Sequence, residues 1–266
     1  MAITALHTAA TGMQALSNKI DVIANNIANA ETPGFKASRI NFQDLLYQIR
    51  AQPGVQTTED TKTPLGTQIG LGVLASNTQI MFRQGSPIEG TNLDAMIQGD
   101  GFFQVELPGG AVGYTRAGNF VRNADGELVL GNSVGYRMRN TPTIAENIGN
   151  DQIQIGANGQ ISAIGINGAA PTLLSQIQLA RFPNRSGLIQ YGSNIYVESA
   201  ASGAPVEGNP GDEGFGTLIA GHLEQSTTEA VTELVELIKT QRTFQMNSQS
   251  IQTADQALQV VANLRR

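Results

Sequence analysis

The chain contains no cysteine, two histidines and few charged residues. Without cysteine there are no disulfides and no thiolate metal sites, so an oxidising compartment is permitted but not required. With His7 and His222 as the only imidazoles, a zinc site needs carboxylates at a ligand spacing that is not found. A Ser-His-Asp triad would have to borrow one of those two histidines, and both fall in structural elements. Charged residues make up 14% of the 266, against about 25% in ordinary domains. The net charge of −6 comes with no basic stripe, which argues against nucleic acid as a partner. No run approaches the ~18 apolar residues of a membrane span. Met1-Ala2-Ile3-Thr4-Ala5 lacks both a basic region and a continuous apolar core, so an ordinary cleavable secretory signal is not expected. Taken alone this reads as cytoplasmic, although some export routes leave no such mark.

What the chain does have is a pair of long heptad patterns, one at each end. Leu6, Met13, Ile20 and Ile27 recur every seventh position, with Ala9, Leu16 and Ile23 between them, which predicts one amphipathic helix ending before Asn29-Ala30-Glu31-Thr32-Pro33-Gly34. Pro33 disfavours helical geometry at Thr32, and Gly34 permits a left-handed turn. Leu237, Phe244, Ile251 and Leu258 repeat the seven-residue spacing near the other end, with Ala254 and Val261 extending the face. Ser226-Thr227-Thr228-Glu229 has the spacing of a capping box for that second helix. The backs of both helices are polar but nearly free of ions: Lys19 and Asp21 are the only charges before Glu31, and Asp255 is the only one from Thr243 to Leu264. Such faces pack against further helices without desolvating ions. The two stripes are therefore expected to face one another as a coiled coil, leaving the uncharged backs for contacts between chains.

Between the helices the punctuation is that of strands. Asn41 to Ile49 reads as a short apolar element, and 51–67, rich in Gln, Thr, Pro and Gly, as an extended arm with no periodicity. Ile69 to Ile80 reads as a strand with glycine breaks. Phe102 to Leu107 ends at Pro108-Gly109-Gly110, and Asp125-Gly126 and Asn158-Gly159 each sit between two short apolar runs in hairpin form. Further strands are expected at Leu173 to Phe182, Ile195 to Val197 and Leu218 to Leu223. The expected fold class is α+β: long terminal helices paired together (1–35 and 225–266), a small β-rich linker domain with the arm (36–80) and a mostly antiparallel β domain (81–224).

Little in that layout carries reaction chemistry. Gly70-Leu71-Gly72-Val73-Leu74-Ala75 matches a dinucleotide-binding pattern but lacks the βαβ surroundings. Asp212 and Glu213 form a solvated acidic tip with nothing nearby in sequence to raise a pKa. Phe102, Phe103, Phe120 and Tyr114-Thr115-Arg116 are better explained by strand-core packing than by a binding face. No catalytic residue, metal site, cofactor or small-molecule substrate is expected.

The residues at both ends and in the middle carry a resemblance. Ala24-Asn25-Asn26-Ile27-Ala28-Asn29 followed by Thr32-Pro33-Gly34-Phe35-Lys36 resembles the amino-terminal signature of the bacterial flagellar rod and hook proteins. Gln241-Arg242-Thr243-Phe244 and Asn247-Ser248 to Asp255 resemble the terminal helix of the same family. Gly99-Asp100-Gly101-Phe102-Phe103-Gln104-Val105 and Tyr114-Thr115-Arg116-Ala117-Gly118-Asn119-Phe120 resemble its central β domain. The likeness spans the chain in order. The length, Gln52-Pro53-Gly54 and Gln68-Ile69-Gly70-Leu71-Gly72-Val73 are most similar to the branch that builds the distal rod.

The resemblance implies a helical homopolymer that forms a rigid hollow drive shaft, with the terminal helices as its inner tube. It implies neighbouring rod and hook proteins above and below, P-ring and L-ring proteins around the outside, and the flagellar export apparatus and rod cap during assembly. It also implies export without a cleaved signal to a basal body that crosses the periplasm to the outer membrane. Leu6, Met13, Leu16, Ile20, Ile23 and Ile27 are the expected pairing residues on the first helix, and Leu237, Phe244, Ile251 and Leu258 on the second. Asn25, Asn26 and Asn29, with Thr32, Gly34 and Phe35, either bond adjacent subunits or cap the helix locally. Gln52, Pro53 and Gly54 mark an arm that braces a neighbour. The hook or proximal rod position is the alternative within the family, and a secreted glycan-binding protein the alternative outside it.

Overall fold

A computed structural model describes residues 2–54, 56–58, 61–62, 64–141, 143–145, 148–163 and 171–264. Helix α1 (Ala2–Ala28) leads into β1 (Ser38–Asp44), β2 (Tyr47–Ala51), β3 (Gln56–Thr58), β4 (Thr61–Lys62), β5 (Thr67–Gly70) and β6 (Val73–Ile80). There follow β7 (Pro87–Glu89), β8 (Ala95–Gln98), β9 (Phe102–Glu106), β10 (Val112–Thr115), β11 (Phe120–Arg122), β12 (Leu128–Leu130), β13 (Ile153–Ile155) and β14 (Gln160–Ala163). The chain returns through β15 (Thr172–Gln176), β16 (Leu179–Arg181), β17 (Ile189–Gly192), β18 (Ile195–Val197), β19 (Val206–Gly208), β20 (Thr217–Ala220) and β21 (His222–Glu224) to α2 (Ala230–Leu264). The class is α+β. Residues 1–28, 38–79 and 230–266 form one compact unit, and residues 29–37 and 80–229 a second.

In the first unit α1 and α2 lie side by side and run antiparallel. Lys19 Nζ donates to Glu236 Oε1 at 2.5 Å, whereas Gly12, a turn or two earlier in α1, lies against Asn247, later in α2. On α2 Thr240 is buried, and Glu233, Glu236, Leu237, Phe244, Asn247, Ser248, Ile251, Ala254 and Leu258 are half-buried. Leu237, Phe244, Ile251 and Leu258 thus stand half-buried with polar or small residues between them. On α1 the deepest positions are Gly12, Ala15, Ile23 and Asn26, while Leu6, Met13, Leu16, Ile20 and Ile27 are half-buried. At ~100° per residue the deepest line lies roughly 100° round the helix from Leu6, Met13 and Ile20. Small side chains let the second helix approach closely: a Cβ on Gly12 would stand 3.0 Å from Asn247 Nδ2.

The same unit contains two narrow β-ribbons, β1 with β6 and β2 with β5. Arg39 reaches Gln79 and Asn41 reaches Asn77 across the first of these. The stretch expected as an aperiodic arm is thus a hairpin, with β3 and β4 paired beyond β2 and β5. Every residue of β2 is exposed, although Tyr47-Gln48-Ile49-Arg50-Ala51 alternates apolar and polar side chains; it is the stretch beyond it, rich in Gln, Thr, Pro and Gly, that carries no alternation and reads as an arm. Gly72, at φ +122°, breaks the expected 69–80 strand into β5 and β6.

The second unit is built on an antiparallel sheet in the order β17-β18-β10-β9-β16-β19. Its central strand β9 is buried on both faces. Phe103 points into a cluster with Ile97, Phe120, Leu128, Ile161 and Leu179, and Phe102 into another with Tyr114, Phe182 and Tyr196. Phe102 and Phe103 are inaccessible to solvent, and burying each such side chain stabilises by ~1.5–3 kcal/mol. The rings meet edge-on, Tyr114 with Phe182 at 4.7 Å and Phe103 with Phe120 at 5.1 Å. Burial, followed by the charges of Glu198 and Glu207, pushes the Tyr114 hydroxyl up to about 12. The hairpins β11–β12 and β13–β14 turn at the expected Asp-Gly and Asn-Gly, where Gly126 and Gly159 have φ of +81° and +82°. The run from 173 to 182 is not one strand: β15 pairs with β14, and β16 with β9 and β19. Gly221, at φ +68°, likewise divides the expected 218–223 strand into β20 and β21. The anticipated capping box does not start α2. The Ser226 hydroxyl accepts from the Thr228 amide in a local turn, and the helix begins four residues after Ser226.

Candidate functional site: assembly surfaces

The signature segment after α1 is held mainly by its own surroundings. Asn26, 2% exposed, donates through Nδ2 to the Ser38 carbonyl at 2.8 Å and accepts through Oδ1 from the Ser38 amide at 3.0 Å. One buried amide side chain therefore pins the start of β1 to the end of α1. Asn25 is exposed on α1, and Asn29 Oδ1 accepts from the Thr32 hydroxyl at 3.2 Å. Gly34 has φ +71°, and a Cβ there would stand 2.6 Å from the Ala117 amide nitrogen. Glycine is thus required both for the turn and for the contact. The half-buried Phe35 accepts through its carbonyl from the Thr227 amide, and the Pro33 carbonyl accepts from Asn194 Nδ2.

Beside this segment the second unit encloses a charge cluster. Lys36 Nζ donates to Glu224 Oε1 and to the Arg83 carbonyl, both at 2.6 Å. The same carboxylate oxygen accepts from the Gly85 amide at 2.8 Å and from Gln84 Nε2 at 3.2 Å. Arg116 Nη1 lies 3.7 Å from Glu224 Oε2, and the guanidinium sits over the Phe102 ring at 5.3 Å. Arg116 Nη2 donates to the Gly99 carbonyl at 2.7 Å. Neither Lys36, Arg116 nor Glu224 is more than 4% exposed. Burial holds both cations below their ordinary pKa, and the Glu224 charge acts in the opposite sense on each. The Glu224 carbonyl also accepts from the Gly34 amide at 2.7 Å. Lys36 and Glu224 thereby tie the stretch that follows α1 to the stretch that precedes α2.

Sequence reasoning missed this cluster. The signal available was the rarity of charge: Lys36 closes the signature, and Arg116 is the only charged residue between Glu106 and Arg122.

The arm presents a different surface. Gln52, Pro53 and Gly54 are exposed at its bend, with Gly54 at φ +81°. Leu65 of the arm is 81% exposed, Leu46, Tyr47 and Ile49 just before it are 83%, 54% and 54%, and Leu74 of β6 is 54%. A two-stranded ribbon is marginally stable alone, and these apolar side chains stay in solvent in the single chain. Among the described residues no three His, Asp or Glu side chains gather to hold a metal. No described helix is long and apolar enough to cross a membrane. His7 is exposed on α1, and His222 Nδ1 lies 2.9 Å from the Ala220 carbonyl. Asp212 accepts from the Asn209 amide in its own turn.

Three family models match in chain order: the flagellar basal-body rod protein model at residues 6–36, the flagellar hook protein FlgE/F/G D1 domain at 96–163, and the flagellar basal-body rod FlgEFG C-terminal model at 219–264. The chain belongs to the flagellar basal-body rod and hook protein family.

Within it the chain is a rod structural subunit similar to FlgG. It is 41% identical to the flagellar basal-body rod protein FlgG of Borreliella burgdorferi, over 98% of each chain. It is 43% identical to FlgG of Caulobacter vibrioides, over 98% of this chain and 99% of that one. The flagellar hook protein FlgE of Salmonella typhimurium is 35% identical over 57% of this chain and 33% of its own length. Neither the hook alternative nor the glycan-binding one is favoured.

Proposed function

We propose that the chain polymerises helically with copies of itself into the distal rod, a stiff hollow shaft that transmits torque and passes later subunits through its bore. The observation that carries this reading is the uncovered apolar surface of the first unit, Leu46, Tyr47, Ile49, Leu65 and Leu74, in a chain similar to FlgG from end to end. Burying those side chains against a neighbour, at ~25 cal/mol per Å², is a driving force for assembly that folding leaves unused.

In this reading α1 and α2 pack as a coiled coil and form the inner tube. Residues 36–80 link it to an outer β domain at 81–224, and Gln52, Pro53 and Gly54 bring the arm against the next subunit. Asn25 and Asn29 contribute to contacts between copies, while Asn26 acts within its own chain. Neighbouring rod and hook proteins cap the two ends of the shaft, and P-ring and L-ring proteins surround it. The subunit crosses the inner membrane through the flagellar export apparatus without a cleaved signal, assembles under the rod cap, and spans the periplasm toward the outer membrane. Its role is structural, with no catalysis. Electron microscopy of polymer grown from the purified full-length chain tests this: straight, stiff tubes are expected, and curved flexible tubes or an absence of polymer overturn the distal-rod reading.

A further inference from the structure

We infer that Lys19 and Asn26 on α1, with Glu233 and Glu236 on α2, set the register in which the two terminal helices pair, helped by the fit of Gly12 against Asn247. All of these residues lie in the first unit, and their role requires no second copy. It differs from that of the apolar stripes, whose burial holds the helices together without fixing how far one is slid along the other.

The apolar residues repeat. Leu6, Met13, Ile20 and Ile27 on α1, and Leu237, Phe244, Ile251 and Leu258 on α2, recur every seventh position and are all half-buried. Sliding one helix by seven residues, ~10 Å at ~1.5 Å per residue, therefore presents much the same apolar surface again. The connecting chain does not forbid such a slide. Residues 29–32 separate α1 from Pro33, whose carbonyl accepts from Asn194, and those residues reach roughly 13 Å when extended.

Beside the stripes runs a second row with the same spacing and no repetition of chemistry. On α1 it is Gly12, Lys19 and Asn26, and on α2 it is Glu233, Thr240 and Asn247. Asn26 Nδ2 donates to Glu233 Oε1 at 3.4 Å near one end of the pair, and Gly12 lies against Asn247 further along. These two contacts are two heptads apart on both helices, so they report a single antiparallel register. Between them Lys19 Nζ donates to Glu236 Oε1 at 2.5 Å, one turn from the buried Thr240, whose hydroxyl donates to the Glu236 carbonyl.

Each layer of this row joins a different pair, so a slide loses every one of them. A shift of one heptad in either direction parts Lys19 from Glu236 and Asn26 from Glu233. It also brings Ala5 or Lys19 to the place of Gly12 beside Asn247, where a Cβ would stand 3.0 Å from Nδ2. The Lys19 and Glu236 side chains are 26% and 41% exposed, so separating them leaves two partly desolvated charges without their partner. Polar groups set into an apolar seam fix register in this way, at some cost in stability.

The absence of native cysteine allows a direct test. Nitroxide labels are attached at His7→Cys and Arg242→Cys, exposed positions on α1 and α2, in the full-length chain diluted with unlabelled parent. Pulsed electron paramagnetic resonance is expected to give one distance, because a slide of one heptad moves the labels ~10 Å past each other along the axis. Adding Lys19→Leu/Glu233→Leu/Glu236→Leu is expected to keep helicity by circular dichroism and to add a second distance population. Lys19→Glu alone, which sets like charges together, is expected to split the distance as well, and Lys19→Glu/Glu236→Lys to restore the single one. Two distances in the parent, or one parental distance in every variant, overturn this role. So does a split that persists in the charge reversal, which would mean a general loosening of the pair. Where the triple variant loses helicity, the two charge variants decide. Polymer formation does not enter the readout, so the rod-subunit reading stands or falls separately.

Discussion

Lys36 and Glu224, 188 residues apart in sequence, meet at 2.6 Å where neither side chain is more than 1% exposed. Each is one step from a terminal helix in chain order, yet both belong to the β-rich unit, and Arg116 makes the cluster two cations around one carboxylate. Removing the carboxylate leaves two buried positive charges without compensation. Glu224→Gln is expected to lower stability by about 3–5 kcal/mol. The double variant Lys36→Met/Glu224→Leu removes a charge of each sign and is expected to lose less. Urea unfolding of the full-length chain followed by circular dichroism checks both, and equal losses would mean the charges themselves matter little.

Asn26→Ala removes both bonds to the half-buried Ser38 backbone. The expected cost is roughly 1–3 kcal/mol. Hydrogen exchange should localise it, with faster exchange in β1 than in β9.

The helix pair should weaken in acid. Glu236 is held below its ordinary pKa of 4.5, first by the hydrogen bond from Lys19, with the charges of Lys19 and Lys239 adding and partial burial opposing. A depressed carboxylate contributes stability that is complete above its unfolded pKa and is lost as pH falls through the lower folded value. Thermal unfolding followed by helicity should therefore show a fall in melting temperature below about pH 4.5 that is smaller in Lys19→Met. Identical acid profiles in the two proteins would remove Lys19–Glu236 from the explanation.

The strand hairpins were legible because Asp125-Gly126 and Asn158-Gly159 impose turns locally, whatever the rest of the chain does. Both terminal helices were legible for the same reason: a seven-residue repeat is a local signal. Of the face that α1 buries deepest, only Ile23 was. Large side chains such as Leu6 and Met13 dominate any hydrophobic pattern, whereas close approach of two backbones selects Gly12 and Ala15, which a pattern barely registers. The Lys36–Glu224 pair had no local signature at all, since its partners are joined only by the tertiary fold. The arm read as aperiodic because residues 51–67, rich in Gln, Thr, Pro and Gly, lack the apolar–polar alternation by which strands are recognised.

Leu46→Ser and Leu65→Ser should separate folding from assembly. Both side chains are more than 80% exposed in the single chain, so monomer stability is expected to change by no more than about 0.5 kcal/mol. The concentration needed for polymer formation, measured by sedimentation, is expected to rise severalfold for each. Unchanged assembly would mean that the arm does not touch a neighbour.

The most direct measurement is an electron cryo-microscopy map of polymer grown from the full-length chain, at a resolution that places α1 and α2. Both helices are expected on the inner wall around an open channel, with Leu46 and Leu65 covered by the next subunit and the β unit outermost. Helices on the outer surface, or a chain that stays monomeric with the arm in water, would contradict the rod-subunit mechanism.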